Sequence, residues 1–192
     1  MLKKGGTWSM IKLDQNRFLK WIIILATTYG LVLFVEFPYA SMSSLSYSIT
    51  LNYLMMIWIS IVESLLKPAL KSPHFNSYPI EREGKVYKYL GVDFYRKLLL
   101  LSGWEKIRKK ETPISKSLDL LLYYEYKTRA SEFGHGIIAI IIVFITIYVY
   151  IEYSFKETIW LIVLNILMNI YPIIVQRYNR PRVQRVIKKL QL

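Results

Sequence analysis

The chain alternates between long apolar runs and strongly polar segments. The runs occupy residues 21–37, 48–66, 137–153 and 158–175. Each is about 17–19 residues long, enough at ~1.5 Å per residue to cross a hydrocarbon core of ~30 Å. The pattern predicts an all-α membrane protein: four transmembrane helices in one integral membrane domain spanning residues 1–192. The single long hydrophilic stretch, a loop at 67–136, carries helical patterns of its own. Residues 93–110, DFYRKLLLLSGWEKIRKK, pair an apolar face with a basic one, as in an amphipathic, interfacial helix lying in the headgroup plane. Residues 115–135 read as a helix running directly into the third span. The tail at 176–192 is basic and amphipathic.

Charge adds an orientation to this outline. In chain order, the five segments outside the runs carry 5, 0, 14, 1 and 6 Lys and Arg. By the positive-inside rule, this alternation places both termini and the long loop in the cytoplasm, making the chain a multi-pass membrane protein. The basic start and first apolar run resemble a signal peptide, but the following FPYASM lacks a small-x-small cleavage pattern, so an uncleaved anchor is expected. A net charge of +13 in a soluble chain would point to nucleic acid. With 54% hydrophobic residues arranged in spans, the cations instead face membrane lipid, and no nucleic acid is expected as a partner. There is no cysteine, which excludes disulfides, thiolate nucleophiles and cysteine metal sites.

Candidate chemistry gathers at one end of the spans. In NILMNIYPIIVQRYNRPR (165–182), Asn165, Asn169, Pro172, Gln176 and Asn179 share one helical stripe. Arg177, Arg180 and Arg182 follow where such a helix would leave the hydrocarbon. A polar stripe in a span is expected to face protein or a water-filled cavity, and Pro172 frees a backbone carbonyl. Glu63 closes the second run, where it can also pair with nearby Lys67, and His135 opens the third. Glu125, Arg129 and Glu132 share a stripe, with His135 about 60° further round. The chain has only two histidines, His74 and His135. With Glu132 beside it, His135 is the candidate general base. HExxH, Gly-rich phosphate-loop and GxSxG motifs are absent. Glu132, His135 and His74 would be the only plausible metal set, and no metal is expected.

PIIVQRYNRPR at 172–182, the Glu132-x-x-His135 pair and the loop pattern HF…EREGKVYKYLGVDFYRKLLLLSGW at 74–104 together resemble the bacterial glycosyl-diaponeurosporenoate acyltransferases. That family comprises small membrane enzymes of staphyloxanthin-type carotenoid biosynthesis. The resemblance implies transfer of a fatty acyl group from a cytoplasmic thioester donor to a hydroxyl of a glycosylated carotenoid or other glycolipid. The donor would be acyl-CoA or acyl carrier protein, with no bound cofactor. On that reading His135 deprotonates the acceptor, while Glu132 or Glu125 fixes its tautomer. Asn169 or Gln176 stabilises the oxyanion. Glu63, Arg129, Gln176, Arg177, Asn179, Arg180 and Arg182 form the substrate-binding set, with the last arginines on donor phosphates. An ion pair of Glu132 with Arg177 or Arg180 is also expected. No side chain reads as a covalent nucleophile, so transfer would be direct. Two other readings remain: a non-catalytic subunit docking a membrane-protein partner, and a membrane methyltransferase or reductase.

The orientation is directly testable because the chain has no cysteine of its own. A single cysteine in place of Arg108 is expected to resist an impermeant maleimide in intact cells and to label after permeabilisation. Labelling from outside would invert the topology.

Overall fold

The computed structural model describes residues 16–36, 43–81, 84–103 and 117–191. Among them are five α-helices and no strand: α1 (Arg17–Glu36), α2 (Ser44–Leu66), α3 (Val92–Leu101), α4 (Leu118–Glu152) and α5 (Phe155–Leu190). All but α3 are long and apolar enough to cross a membrane. The chain is therefore an all-α, multi-pass membrane protein, as the apolar runs implied. Of the helix expected at 93–110, residues 93–101 lie in α3, which ends in a turn at Ser102 and Gly103, and residues 104–116 lie outside the described residues.

The helices extend well beyond the runs. At 35 and 36 residues, α4 and α5 reach about 50 Å, some 20 Å more than a hydrocarbon core requires. Only Tyr153 and Ser154 separate them, so they pack antiparallel as one hairpin. The surplus turns of both, the N-terminal part of α4 and the C-terminal part of α5, consequently project from the same end of the bundle. These turns carry Glu125, Arg129, Glu132, Arg177 and Arg180.

Two cores hold the bundle. The first lies between α2, α4 and α5, where Leu51, Met55, Ile138, Ile142 and Leu161 are fully buried. At this layer α1 joins α2 through the Trp58 indole N–H, which donates to Thr28 Oγ1 at 2.9 Å. The second core, at the projecting end, packs Val92 and Tyr95 of α3 against Val175 and Tyr178 of α5. Between α2 and α3 the chain crosses the projecting end in three short 3₁₀ turns: Pro73–Phe75, Pro79–Glu81 and Lys85–Lys88. Gly84 makes the closest approach, at φ +86°, where a Cβ would stand 3.0 Å from the Tyr178 carbonyl oxygen. A left-handed conformation and backbone contact together require glycine there.

One break in α5 decides how α3 docks. Residues Ile166–Ile170 form a π-helical turn, in which the Tyr171 N–H reaches Ile166 O. Tyr171 would be the α-helical partner of Leu167 O, and the next residue, Pro172, has no N–H to offer. The Leu167 carbonyl is left without its helical donor in a setting where an unpaired carbonyl is costly. The Tyr95 hydroxyl supplies it at 2.8 Å, and the Tyr95 ring stacks on Tyr171 at 4.8 Å. Burial pushes the Tyr95 hydroxyl up to about 12, so it remains a donor at any physiological pH.

Tyr95→Phe keeps the stack and removes only this donor. It is expected to destabilise the protein by about 1–3 kcal/mol, the usual cost of stranding a buried carbonyl. The check is a lowered apparent melting temperature in detergent, with Tyr89→Phe, on an exposed ring, as the control.

Candidate functional site

Three side-chain amides and one imidazole form a connected chain through the bundle. Asn52 of α2 donates from Nδ2 to the Ser48 carbonyl at 2.9 Å, and Asn165 of α5 donates to the Ala139 carbonyl at 3.1 Å. A backbone carbonyl only accepts, so both amides must point their NH₂ groups at it. Their Oδ1 atoms then turn to Asn169, whose Nδ2 donates to Asn52 Oδ1 at 2.8 Å and to Asn165 Oδ1 at 3.1 Å. With its NH₂ fully engaged, Asn169 presents its oxygen to His135 Nδ1 at 3.2 Å. Nδ1 therefore carries the ring proton, and Nε2 keeps its lone pair. The Met168 carbonyl, whose i+4 position is Pro172, lies beside the ring. Asn52 and Asn169 are completely buried.

His135 lines a cavity of about 490 Å³ bounded by α2, α3, α4 and α5. Tyr53, Met56 and Met168 form its apolar end. Ser131 stands one turn before His135 on α4, where its hydroxyl accepts from Gln176 Nε2 at 3.2 Å. Toward the projecting end the walls become Asn179, Arg182 and Arg96. Such a cavity, apolar at one end and polar at the other, suits an amphiphilic substrate.

A second polar cluster lies outside this cavity. Glu132 accepts from Arg177 Nη1 at 2.6 Å through Oε1 and from Arg180 Nη2 through Oε2, so the expected pairing is present with both arginines. Arg177 also contacts Glu81 Oε1 at 2.6 Å, the Tyr87 hydroxyl at 3.1 Å and the His74 carbonyl at 3.1 Å. Arg180 donates to Thr128 Oγ1 at 2.9 Å, Thr128 O at 3.0 Å and Phe75 O at 2.9 Å. Both guanidiniums are buried, their donors engaged by α4 and the 3₁₀ turns. Arg129 binds Glu125 Oε1 at 2.7 Å and the Leu70 carbonyl at 3.1 Å, tying the start of the loop to α4. Gln184 reaches the same Glu125 oxygen from α5 at 2.9 Å.

The sequence-derived set thus separates into three places. His135, Asn169, Gln176, Asn179 and Arg182 come together around the cavity. Glu132, Arg177 and Arg180 form the buried ionic cluster, and the half-buried Arg129 pairs beside it with Glu125. Glu63 stands apart, against α4, where a Cβ on Gly134 would come within 2.8 Å of Oε1. That oxygen is buried without a hydrogen-bond partner. Two expectations are corrected. Neither Glu132 nor Glu125 orients His135, because the i,i+3 offset turns Glu132 toward the arginines and Asn169 takes the imidazole. The Asn169 amide also has no free N–H for an oxyanion, since its neighbours occupy both. Sequence reasoning missed Glu81, Tyr87, Tyr95, Arg96 and Ser131. The first two lie in turns whose partners are about 90 positions away, and no local period reports them.

Fold and site define a multi-pass membrane protein with an amphiphilic cavity and an oriented histidine at its polar–apolar boundary. The sequence model of the glycosyl-4,4'-diaponeurosporenoate acyltransferase family matches residues 71–189, and the chain belongs to that family. It is thereby placed among the acyltransferases that modify carotenoid glycolipids. Neither curated proteins nor solved structures give a match.

The ionic cluster carries a pH dependence through Glu81. Burial opposes its charge, but hydrogen bonds from Tyr87, Arg177 and the Tyr78 N–H outweigh burial and hold its carboxyl below the ordinary 4.5. A carboxylate whose folded pKa is depressed contributes stability that is complete above its unfolded pKa and is lost as pH falls through the folded value. Acidification from pH 6 to below 4 is therefore expected to lower the melting temperature. Glu81→Gln should start lower at pH 6 and lose less over the same range.

Proposed function

We propose that the protein transfers a fatty acyl group from a cytoplasmic thioester donor to a hydroxyl of a glycosylated carotenoid or related glycolipid, with His135 as general base. The carrying observation is the tautomer. Two backbone carbonyls orient the asparagines, the asparagines keep the proton on Nδ1, and Nε2 remains basic in a ring that lines the cavity. Asn169 is then a positioning residue, orienting the imidazole as the third member of a catalytic triad does.

The reaction follows from these placements. The apolar part of the acceptor occupies the end near Tyr53, Met56 and Met168. Its sugar hydroxyl approaches Nε2, which takes the proton as the oxygen attacks the thioester carbonyl. The Ser131 hydroxyl accepts from Gln176, leaving its own proton to donate to the developing oxyanion. Collapse of the tetrahedral intermediate expels the thiolate, which takes the proton from the imidazolium. The ester forms, the thiol leaves and the base is restored. The bilayer-facing acceptor and the cytoplasmic donor would reach this one cavity from different sides, in the orientation the cation distribution implies.

His135→Ala is expected to lower acyl transfer by ~10²–10⁴-fold at matched protein level, the usual worth of a general base. Folding should change little, because the ring is only partly buried. Mass spectrometry of acylated glycolipid from membranes carrying each variant supplies the readout, with Lys188→Ala, on an exposed turn of α5, as the control. Full acylation by His135→Ala would remove the histidine from the mechanism. An unchanged lipid profile on deleting the gene would favour a non-catalytic subunit.

A further inference from the structure

With Arg177 and Arg180 committed to the ionic cluster, the cations that line the cavity are Arg96 of α3 and Arg182 of α5. They converge on one aromatic ring. The Arg182 guanidinium carbon lies 3.6 Å from the centroid of Tyr178 and that of Arg96 lies 5.4 Å from it. Arg182 is held there by donating from Nη1 to the Tyr178 carbonyl, and Arg96 by Asp93 at 3.4 Å. Two like charges on one ring, with the Asp93 carboxylate beside Arg96, leave a net positive site among the described residues. Fork-shaped donors converging in this way fit the oxygens of a phosphate ester.

The distance between this pair and His135 selects the ligand. His135 is level with Asn169, and the Arg182 guanidinium with Tyr178, nine residues along α5, or about 14 Å at ~1.5 Å per residue. A phospholipid acyl donor keeps its ester carbonyl only about five bonds from its phosphate, roughly 6 Å at ~3.5 Å per three bonds. The arm of phosphopantetheine has about a dozen bonds between phosphate and sulfur, roughly 14 Å on the same scale. We propose that Arg96 and Arg182 are the phosphate-recognition site for a phosphopantetheine thioester, gripping the donor at the distance that sets its carbonyl beside His135. Coenzyme A and a carrier protein share that chemistry. The inference rests on the acyl-transfer reading for its chemistry and on the cavity alone for its binding site.

The test uses the full chain in nanodiscs and separates binding from turnover. Binding is measured with coenzyme A, 4'-phosphopantetheine and pantetheine. Turnover is measured with the acyl thioesters of all three and with acyl carrier protein. Wild type is expected to prefer phosphopantetheine over pantetheine by ~100-fold in both readouts, and Arg96→Gln/Arg182→Gln should bring that ratio near one. A merely structural role would weaken both probes equally and leave the ratio intact, which would overturn the proposal, as would acyl transfer from vesicle phospholipid with no thioester present. The source is the thioester, of coenzyme A or of carrier protein, that the wild type turns over with the higher kcat/KM. Retained phosphate-dependent binding without turnover would sink the acyl-transfer reading and leave the site. Turnover indifferent to phosphate would do the reverse.

Discussion

A single missing hydrogen-bond donor organises the inner part of this protein. Pro172 cannot supply an N–H to the turn before it, and the bilayer offers no water to take its place. The helix widens into a π turn, and its stranded carbonyls find partners from outside the helix. Tyr95 takes the Leu167 carbonyl and so fastens α3 to α5. His135 lies against the Met168 carbonyl and Asn169. A defect that would destabilise an isolated helix thus fixes both α3, one wall of the cavity, and the imidazole that faces it. π turns recur at functional sites for this kind of reason.

The projecting end is held by a different force. Glu132 is shared between Arg177 and Arg180, and a second carboxylate, Glu81, completes the neutralisation. Desolvating such charges costs several kcal/mol per ion, and their attraction offsets that cost only when the remaining donors are also bonded. Here the remaining donors meet carbonyls and hydroxyls of the 3₁₀ turns and α4. The cluster therefore specifies one path for the loop over the helix ends, since any other would leave guanidinium protons unpaired. Gly84 then makes its backbone contact with α5, and α3 packs beside Tyr178.

The sequence carried the four apolar helices plainly, because each run has the length the bilayer demands. The stripe from Asn165 to Asn179 was also legible from its spacing, and the structure turns it inward along the cavity and amide chain. Pair assignments between helices were harder. Glu132 and His135 are three residues apart, close enough to suggest a pair, yet side chains at that offset diverge when stronger partners stand on either side. Arg177, Arg180 and Arg182 looked equivalent in sequence; a rotation of 100° per residue sends the first two into the loop and the third to the cavity. Glu81 and Tyr87 had no signal, because 3₁₀ turns place residues by contacts remote in sequence.

The amide chain also bears on what counts as the working unit. The segment by which the family is recognised, residues 71–189, contains His135, Asn169 and the whole ionic cluster. It does not contain Asn52 or the Ser48 carbonyl, one of the two fixed ends from which the imidazole's proton is assigned. Divided from α2, the recognised segment would keep its histidine but lose one of the two anchors that hold Asn169's amide in register. The family signature therefore marks a part of the machine that is complete in its named residues and incomplete in its wiring.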